Sequence, residues 1–266
     1  MIRQLLQSLN AGLIFAVLAA GSSSPAWGAE KNLAAKVALL EARLAQLEQE
    51  AGIQSDMNAI RKLQYTYGYY LDKGLNTRVA DLFTRNDPSA EIGGRGIYKG
   101  YDGVRRMYTG IFKRRPNGDG PVFGNALEHM QLQDVVDVAP DRKTAKGRFR
   151  AFVMQVTGYP ENPLETWQAG IYENDYVKEG GIWKIHKLAY KQVITCIRIA
   201  DCKDSFSYMT DPSKEYPPDA PSTPYHPFPE AMVIPFHYPH PVTGEVLPAF
   251  EDTRNFWCGA QPCKDK

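Results

Sequence analysis

Apolar residues recur at alternating steps of four and three near the start of the chain, and this pattern predicts a helix with one apolar face. The recurring positions are Leu33, Val37, Leu40, Leu44 and Leu47. The spacing is typical of a short coiled-coil seam, although a lone helix packed on its own domain fits equally well, because so few heptads are only marginally stable. Gly52 is expected to end this helix, and Ser55 and Asp56 to cap a second helix that reaches about Leu71.

The pattern then changes from helical periodicity to strand alternation. A short helix is predicted over residues 76–83, a Gly-rich turn over 93–96 and a third helix over 102–113. Partly alternating runs rich in β-forming residues, separated by turn residues, follow at 127–138, 144–156, 167–178 and 182–195. Three helices followed by a long antiparallel meander predict an α+β domain.

The last part of the chain, residues 199–266, is dense in proline and aromatic residues. Proline excludes helices and central strands, whereas the aromatic content argues against disorder. We expect an ordered, irregular extension that lies across the domain or a neighbouring subunit. Its histidines, His226, His237 and His240, resemble a metal site, but prolines hold them extended and no carboxylate has metal-like spacing, so no metal is expected.

The N-terminus carries a basic residue, a short apolar run and small residues near Ala29, a pattern typical of a secretory signal. We expect residues 1–29 to be removed, the protein to be periplasmic or secreted, and no membrane attachment afterwards. An uncleaved anchor is the alternative, although the run is shorter than the roughly 20 residues that a span needs. The four cysteines are Cys196, Cys202, Cys258 and Cys263, and export favours disulfides between them over a zinc cluster. The first two can pair with the last two, or each pair can close locally; both pairings remain open.

Composition and charge narrow the class of ligand. The chain has 266 residues, of which 43% are hydrophobic, and its 31 basic and 30 acidic side chains give a net charge of +1. This composition excludes disorder throughout, and without a basic stripe we expect no nucleic-acid partner. We therefore expect a small-molecule ligand, no cofactor, since no nucleotide or phosphate motif occurs, and a homo-oligomer, either a dimer or a trimer.

The segment from Tyr65 to Asp72 places several phenols and one carboxylate on a helix that is otherwise core-facing. Such side chains rarely face a core unless a polar pocket receives them. This segment therefore predicts a pocket that serves as the active site.

Five short motifs occur in a characteristic order along the middle of the chain. They are Tyr67 to Asp72, Ala80 to Phe83, Gly96 to Gly100, Glu128 to Met130, and Gly181 to Ile185. In this order the chain resembles the SnoaL-like branch of the nuclear transport factor 2-like superfamily. The resemblance implies a cone-shaped α+β barrel over residues 55–198, in which three N-terminal helices pack in a curved antiparallel sheet. Residues 30–54 are then a helical extension.

The resemblance also implies a site. Asp72 and His129 occupy the positions of a dyad in which the carboxylate orients the imidazole, which removes a proton beside a leaving group. Alignment favours Tyr67 as an acid or donor, whereas a rotation of about 100° per residue places Tyr65 and Tyr69 closer to the face of Asp72. The remaining residues expected to bind substrate are Tyr98 and Trp167.

The function that follows is a cofactor-independent lyase acting on a hydroxylated, largely apolar ring or aromatic compound. The expected reaction is a dehydratase-type elimination or, as in some relatives, the release of formaldehyde. Because the fold hosts several chemistries, the alternatives are an isomerase or cyclase and a non-catalytic binding or assembly subunit.

Overall fold

The computed structural model describes residues 26–113, 115, 118–197, 211–225, 231–232, 234–246, 251–252, 257–258 and 261–262. Residues 1–25 of the predicted signal segment, together with His226, Cys202 and Cys263, lie outside these ranges. The chain divides into two compact units, residues 1–50 and 51–266. The second unit carries the sheet and the candidate site.

The first helix, α1, runs without a break over Ala26–Asp72, so the predicted end at Gly52 is wrong. The reason is a close approach: a Cβ at Gly52 would collide with the guanidinium of Arg142. Glycine at this position makes room for Arg142 and does not end the helix.

Asp56, predicted to cap a helix, is instead buried in the middle of α1. Its carboxylate accepts hydrogen bonds from Nε of Arg142 at 2.6 Å, Nζ of Lys178 at 2.6 Å and Nε1 of Trp183 at 2.9 Å. Burial alone would raise the pKa of Asp56, but these donors hold that pKa at about 2. The cluster fixes α1 to two strand ends of the sheet.

Two shorter helices follow. Helix α2 spans Asn76–Ala80 and α3 spans Gly100–Arg106. A single π-helical turn, Met107–Ile111, continues α3. The third helix predicted over 102–113 is therefore present, but its second half is wound more loosely than an α-helix, a feature frequently found at functional sites.

Six strands form a curved sheet that does not close on itself. They are β1 Ser89–Ile92, β2 Ile97–Lys99, β3 Ala126–Val138, β4 Thr144–Thr157, β5 Leu164–Glu179 and β6 Ile182–Ile197. Their order is β2-β1-β6-β5-β4-β3, and every pairing is antiparallel except that of β1 with β6. The four long strands confirm the predicted meander, whereas the parallel β1 was not predicted.

The inward face of the sheet and the helices enclose a core that is unusually rich in phenols. Six tyrosines are completely or almost completely buried, namely Tyr67, Tyr98, Tyr108, Tyr172, Tyr176 and Tyr190. A buried phenol needs a partner for its hydroxyl group or a cavity that receives it. This core therefore contains the site as well as supporting it.

The proline-rich extension packs along the edge of the sheet through residues 211–225. The amide of Ile97 in β2 donates to the carbonyl of Ala220 at 2.8 Å, and the amide of Asp219 donates back to the carbonyl of Ile97 at 2.8 Å. The hydroxyl of Tyr98 donates to the carbonyl of Tyr216 at 2.6 Å. The extension thus covers the edge of the sheet without forming a regular strand.

Further along, two pairs of two-residue strands are present: β7 Ala231–Met232 with β8 Glu251–Asp252, and β9 Trp257–Cys258 with β10 Gln261–Pro262. In the segment that joins β7 to β8, Nδ1 of His237 lies 2.8 Å from a carboxylate oxygen of Glu173 on β5. This contact gives the extension a second attachment to the sheet.

The described residues bear on three other sequence predictions, which concern disulfides, a metal site and a membrane anchor. Cys196 at the end of β6 is disulfide-bonded, and its pairing stays a prediction because the side chains of the other three cysteines lie outside the description. Within the described ranges, no cluster of histidine, cysteine and acidic side chains is grouped to hold a metal ion. None of the described helices is both long and apolar enough to cross a bilayer.

Candidate active site

A cavity of about 200 Å³ lies between the end of α1, the π-helical turn and the inner face of the sheet. Apolar and polar side chains contribute to its walls in similar measure. The residues that line it are Tyr67, Leu71, Ile92, Arg95, Ile111, Phe112, Lys113, Leu127, His129, Val153, Gln155, Gln168, Tyr172 and Tyr190. This arrangement is typical of a site for a small molecule with an apolar body and polar substituents.

His129 and three phenols form a connected polar group on the wall of this cavity. Nε2 of His129 lies 2.9 Å from the hydroxyl of Tyr172, and the hydroxyl of Tyr108 lies 3.2 Å from that of Tyr67. The rings of Tyr67 and Tyr172 pack edge to face, with centroids 5.9 Å apart, and Tyr172 lowers the pKa of Tyr67. The imidazole and the three phenols are therefore neighbours in one polar cluster.

Each member of this group reaches the cavity from a different element. Tyr67 comes from α1 and Tyr108 from the π-helical turn, while His129 and Tyr172 face inward from β3 and β5. Strand alternation accounts for the last two, since both occupy buried positions between more exposed neighbours.

The three phenols differ in pKa because they differ in the hydrogen bonds that their oxygens accept. Burial raises the pKa of Tyr67, but hydrogen bonds from Tyr108 and Tyr172 limit that pKa to about 12. Burial raises the pKa of Tyr108 and of Tyr172 well above the ordinary value, and the neighbouring Tyr67 oxygen adds to the rise. Tyr67 is therefore the most acidic phenol of the three.

Tyr190 adds a buried hydroxyl that, unlike those of the other three phenols, has no hydrogen-bond partner among the described residues. It lines the cavity from β6, and its ring centroid lies 4.7 Å from that of Tyr172. Gly170 makes space for the ring, because a Cβ there would collide with it. A buried donor without a partner at a cavity wall is suited to bind a polar atom of a ligand.

Asp72 lies beside this group, in a second and more open cavity of about 350 Å³. Asp72 is 7% exposed, and its charge raises the pKa of Tyr67. The second cavity is lined by Tyr65, Tyr69, Asp72, Glu128, His129, Met130, Gln131 and Leu132. His129 borders both cavities, so the two predicted dyad residues share one wall.

The predicted tyrosines of α1 divide between the two cavities. Tyr67 faces the inner cavity, whereas Tyr65 and Tyr69 line the second one with Asp72, as the rotation per residue predicts. The hydroxyl of Tyr65 donates to Asp134 at 3.1 Å, and the side chain of Tyr69 is 70% exposed. The helix does not unwind at Gly68.

The structure does not bring Tyr98 or Trp167 to either cavity. Tyr98 is completely buried, and its hydroxyl donates to the carbonyl of Tyr216. Trp167 occupies an outward position of β5, between the buried Thr166 and Gln168, and its ring packs against Phe152. Alternation along β5 explains the outward position, because the inward positions form the cavity wall.

Seven polar residues of the inner cavity and its polar group were missed from the sequence, Lys113 and Gln155 among them. Alternation in β5 could have indicated Gln168 and Tyr172, which share the inward face. Tertiary structure alone brings in the three that come from a 3₁₀ turn, a π turn and β6: Arg95, Tyr108 and Tyr190.

Comparison with known proteins identifies the family. The model of the SnoaL-like domain matches residues 54–189, just over half of the chain. No curated protein matches.

Several solved structures are similar. A protein provisionally named scytalone dehydratase from Novosphingobium aromaticivorans is 21% identical, with 56% of this chain and 91% of that chain covered and a TM-score of 0.46. LinA is 16% identical, with 57% and 95% covered and a TM-score of 0.46. An NTF2-like protein with a cystatin-like fold, also from N. aromaticivorans, is 18% identical, with 65% and 92% covered and a TM-score of 0.40.

The extent of the family match is decisive, and the order of helices and sheet agrees with it. The chain belongs to the SnoaL-like domain family.

Proposed function

We propose that this protein is a cofactor-independent lyase that eliminates water, or a comparably small group, from a hydroxylated and largely apolar ring compound. The observation that carries the proposal is the cluster of His129, Tyr172 and Tyr67 on the wall of the inner cavity, in which Nε2 of His129 contacts the hydroxyl of Tyr172 and the Tyr172 ring packs on that of Tyr67. The cluster combines one base with one acid at the same cavity. Membership of a family that processes small molecules supports the same reading.

In the proposed reaction His129 accepts a proton from the carbon next to the leaving group. The electron pair of the C–H bond forms the new double bond, and the C–O bond breaks. Tyr67 gives its proton to the departing hydroxide, which leaves as water. A phenol with a pKa of about 12 can do this, because water itself has a pKa of about 15.7. Positioned proton transfer of this kind contributes roughly 10²–10⁴ in rate.

The same contacts can restore the resting state. After elimination His129 holds one extra proton and Tyr67 lacks one. The hydroxyl of Tyr172 contacts Nε2 of His129 at 2.9 Å and its ring packs on Tyr67, so we propose that Tyr172 accepts the extra proton from Nε2 and gives its own proton to the Tyr67 oxygen. The two transfers balance, and no proton needs to be exchanged with solvent inside the cavity.

Asp72 is proposed as the residue that positions His129. It is buried and shares a wall with the imidazole. A carboxylate at this place favours the imidazolium that forms during catalysis and selects the tautomer of the resting ring. Asp72→Asn should therefore lower kcat more than it changes KM.

The test is turnover by the purified protein. Candidate hydroxylated ring and aromatic compounds are incubated with it in the presence of a metal chelator, and mass spectrometry detects loss of water or formaldehyde. Conversion that disappears in Tyr67→Phe and in His129→Ala supports the proposal. Saturable binding of the same compounds without conversion would contradict it and favour a binding protein.

A further inference from the structure

The charged side chains that line the inner cavity are both cations. Arg95 and Lys113 border it, and in the described part of the chain no aspartate or glutamate does so. The remaining polar lining consists of the amides of Gln155 and Gln168 and of hydroxyl-bearing or imidazole side chains. A cavity with this balance favours a ligand that carries negative charge at one end.

Arg95 is well placed to act as a specific binding group. It ends the 3₁₀ turn Gly93–Arg95 that connects β1 with β2, and its guanidinium carbon lies 5.5 Å from the ring centroid of Phe112. The Phe112 ring in turn stacks on Tyr108, with centroids 5.7 Å apart. An arginine held over an aromatic ring is restricted in orientation. Its planar donors match the two oxygens of a carboxylate.

Apolar side chains of the same cavity form a wall for the body of a ligand. Ile92, Leu127 and Val153 are buried and line the same cavity. The unpartnered hydroxyl of Tyr190 and the buried amide of Gln168 offer two further polar contacts, which would fix the orientation of a ring substituent.

We infer that the substrate carries a carboxylate that binds at Arg95 and Lys113, while its ring lies against the apolar wall beneath His129. The inference depends on the proposed function for its catalytic meaning, because it names the substrate class of that same cavity. It predicts that acids derived from hydroxylated aromatic or alicyclic compounds are turned over in preference to their neutral counterparts.

Binding of two simple probes tests the inference without turnover. Benzoate and benzamide have nearly the same shape and differ in charge, and isothermal titration calorimetry measures the affinity of each for the full-length protein. We expect benzoate to bind about tenfold more tightly, as a charge-assisted bidentate contact implies. Arg95→Gln should remove most of this preference and Lys113→Gln part of it. The matched control is Arg105→Gln, at an exposed arginine of α3 outside the cavity lining, and it should retain the preference.

Equal affinities of the wild-type protein for benzoate and benzamide would overturn the inference, as would a preference that persists in Arg95→Gln. The wild-type comparison requires no variant and is therefore independent of any folding defect. The two proposals fail separately. Turnover of neutral ring compounds without any preference for acids contradicts this inference alone, whereas preferential binding of benzoate without turnover of any ring acid contradicts the lyase alone.

Discussion

The hydroxyl of Tyr172 lies 2.9 Å from Nε2 of His129, although β5 and β3 are separated by β4. On β4, Val153 pairs with His129 and Phe149 pairs with Tyr172, and the buried Ala151 lies between them. A small residue at this point leaves space for the two larger side chains to meet above the sheet. The contact is therefore a product of strand register.

Removing the Tyr172 hydroxyl should separate catalysis from stability. We expect Tyr172→Phe to lower kcat at least roughly tenfold with little change in KM, because the base loses its partner and the proposed proton transfer to Tyr67 is lost. A loss of about 1–3 kcal/mol in unfolding free energy should accompany it. Steady-state kinetics and denaturant unfolding measure the two effects.

Tyr176→Phe is the matched control. Tyr176 is also buried on β5, but its hydroxyl donates to Gln64 at 2.9 Å, and it does not line the inner cavity. This variant should lose comparable stability and keep its activity. A kcat as low in Tyr176→Phe as in Tyr172→Phe would assign both effects to general loosening of the core.

The phenol-rich core predicts a specific sensitivity to alkaline pH. Folding raises the pKa of Tyr67 from 10.0 to about 12, chiefly by burial. The unfolded chain therefore loses this proton first, so the stability contribution is complete below pH 10 and is lost as the pH rises toward 12. Tyr67 alone accounts for about 3 kcal/mol. Unfolding free energies measured across this range should fall steeply, and a flat profile would contradict the buried, protonated state of Tyr67.

The contact between the extension and the sheet edge can be tested with two glycines that both have positive φ. Gly96 has φ of 95° and Gly100 has φ of 66°. A Cβ at Gly96 would collide with the ring of Pro218 in the extension, whereas a Cβ at Gly100 meets no atom within 4 Å. Both alanine variants carry backbone strain, which is larger at Gly96 because its φ of 95° with ψ of 178° is adopted essentially by glycine alone. The collision with Pro218 adds to this strain, so Gly96→Ala should lose markedly more thermal stability. Equal losses would show that the extension does not pack here in solution.

The N-terminal apolar face predicts self-association. Leu40 and Leu44 lie on the predicted seam and are 68% and 57% exposed, and Leu39, outside the seam, is 70% exposed. If the seam pairs copies of the chain, Leu40→Glu with Leu44→Glu should lower the mass in light scattering, because a charge in a coiled-coil core is strongly unfavourable. Leu39→Glu is the control and should leave the mass unchanged. An unchanged mass in the double variant would show that the seam does not pair copies of the chain.

The sequence allowed the main elements of the fold to be predicted where periodicity was long and regular. The strands predicted at 127–138 and 182–195 correspond to β3 Ala126–Val138 and β6 Ile182–Ile197. The predicted break at Gly52 was wrong because a glycine can either end a helix or make room for a neighbouring side chain. Only the position of Arg142 in three dimensions distinguishes the two. The pairing of β1 with β6 was missed because parallel pairing between distant segments leaves no local signal.

The candidate site could be predicted only in part for a related reason. Tyr67 and His129 were indicated by motifs that are continuous in sequence. Tyr108 depends on a π-helical turn and Tyr190 on the space beside Gly170, and neither feature follows from residue pattern. Trp167 was predicted to bind substrate, but its place in the alternation of β5 turns it outward.

The central claim is that His129 is the base of an elimination reaction in the inner cavity. The most direct measurement compares kcat/KM for the best substrate from the turnover screen in wild type, His129→Ala and Met130→Ala. Met130 is the next residue on β3 and does not line the inner cavity. We predict that His129→Ala loses roughly 10²–10⁴-fold in kcat/KM while remaining folded, and that Met130→Ala stays close to wild type. Activity of His129→Ala within severalfold of wild type would contradict the account.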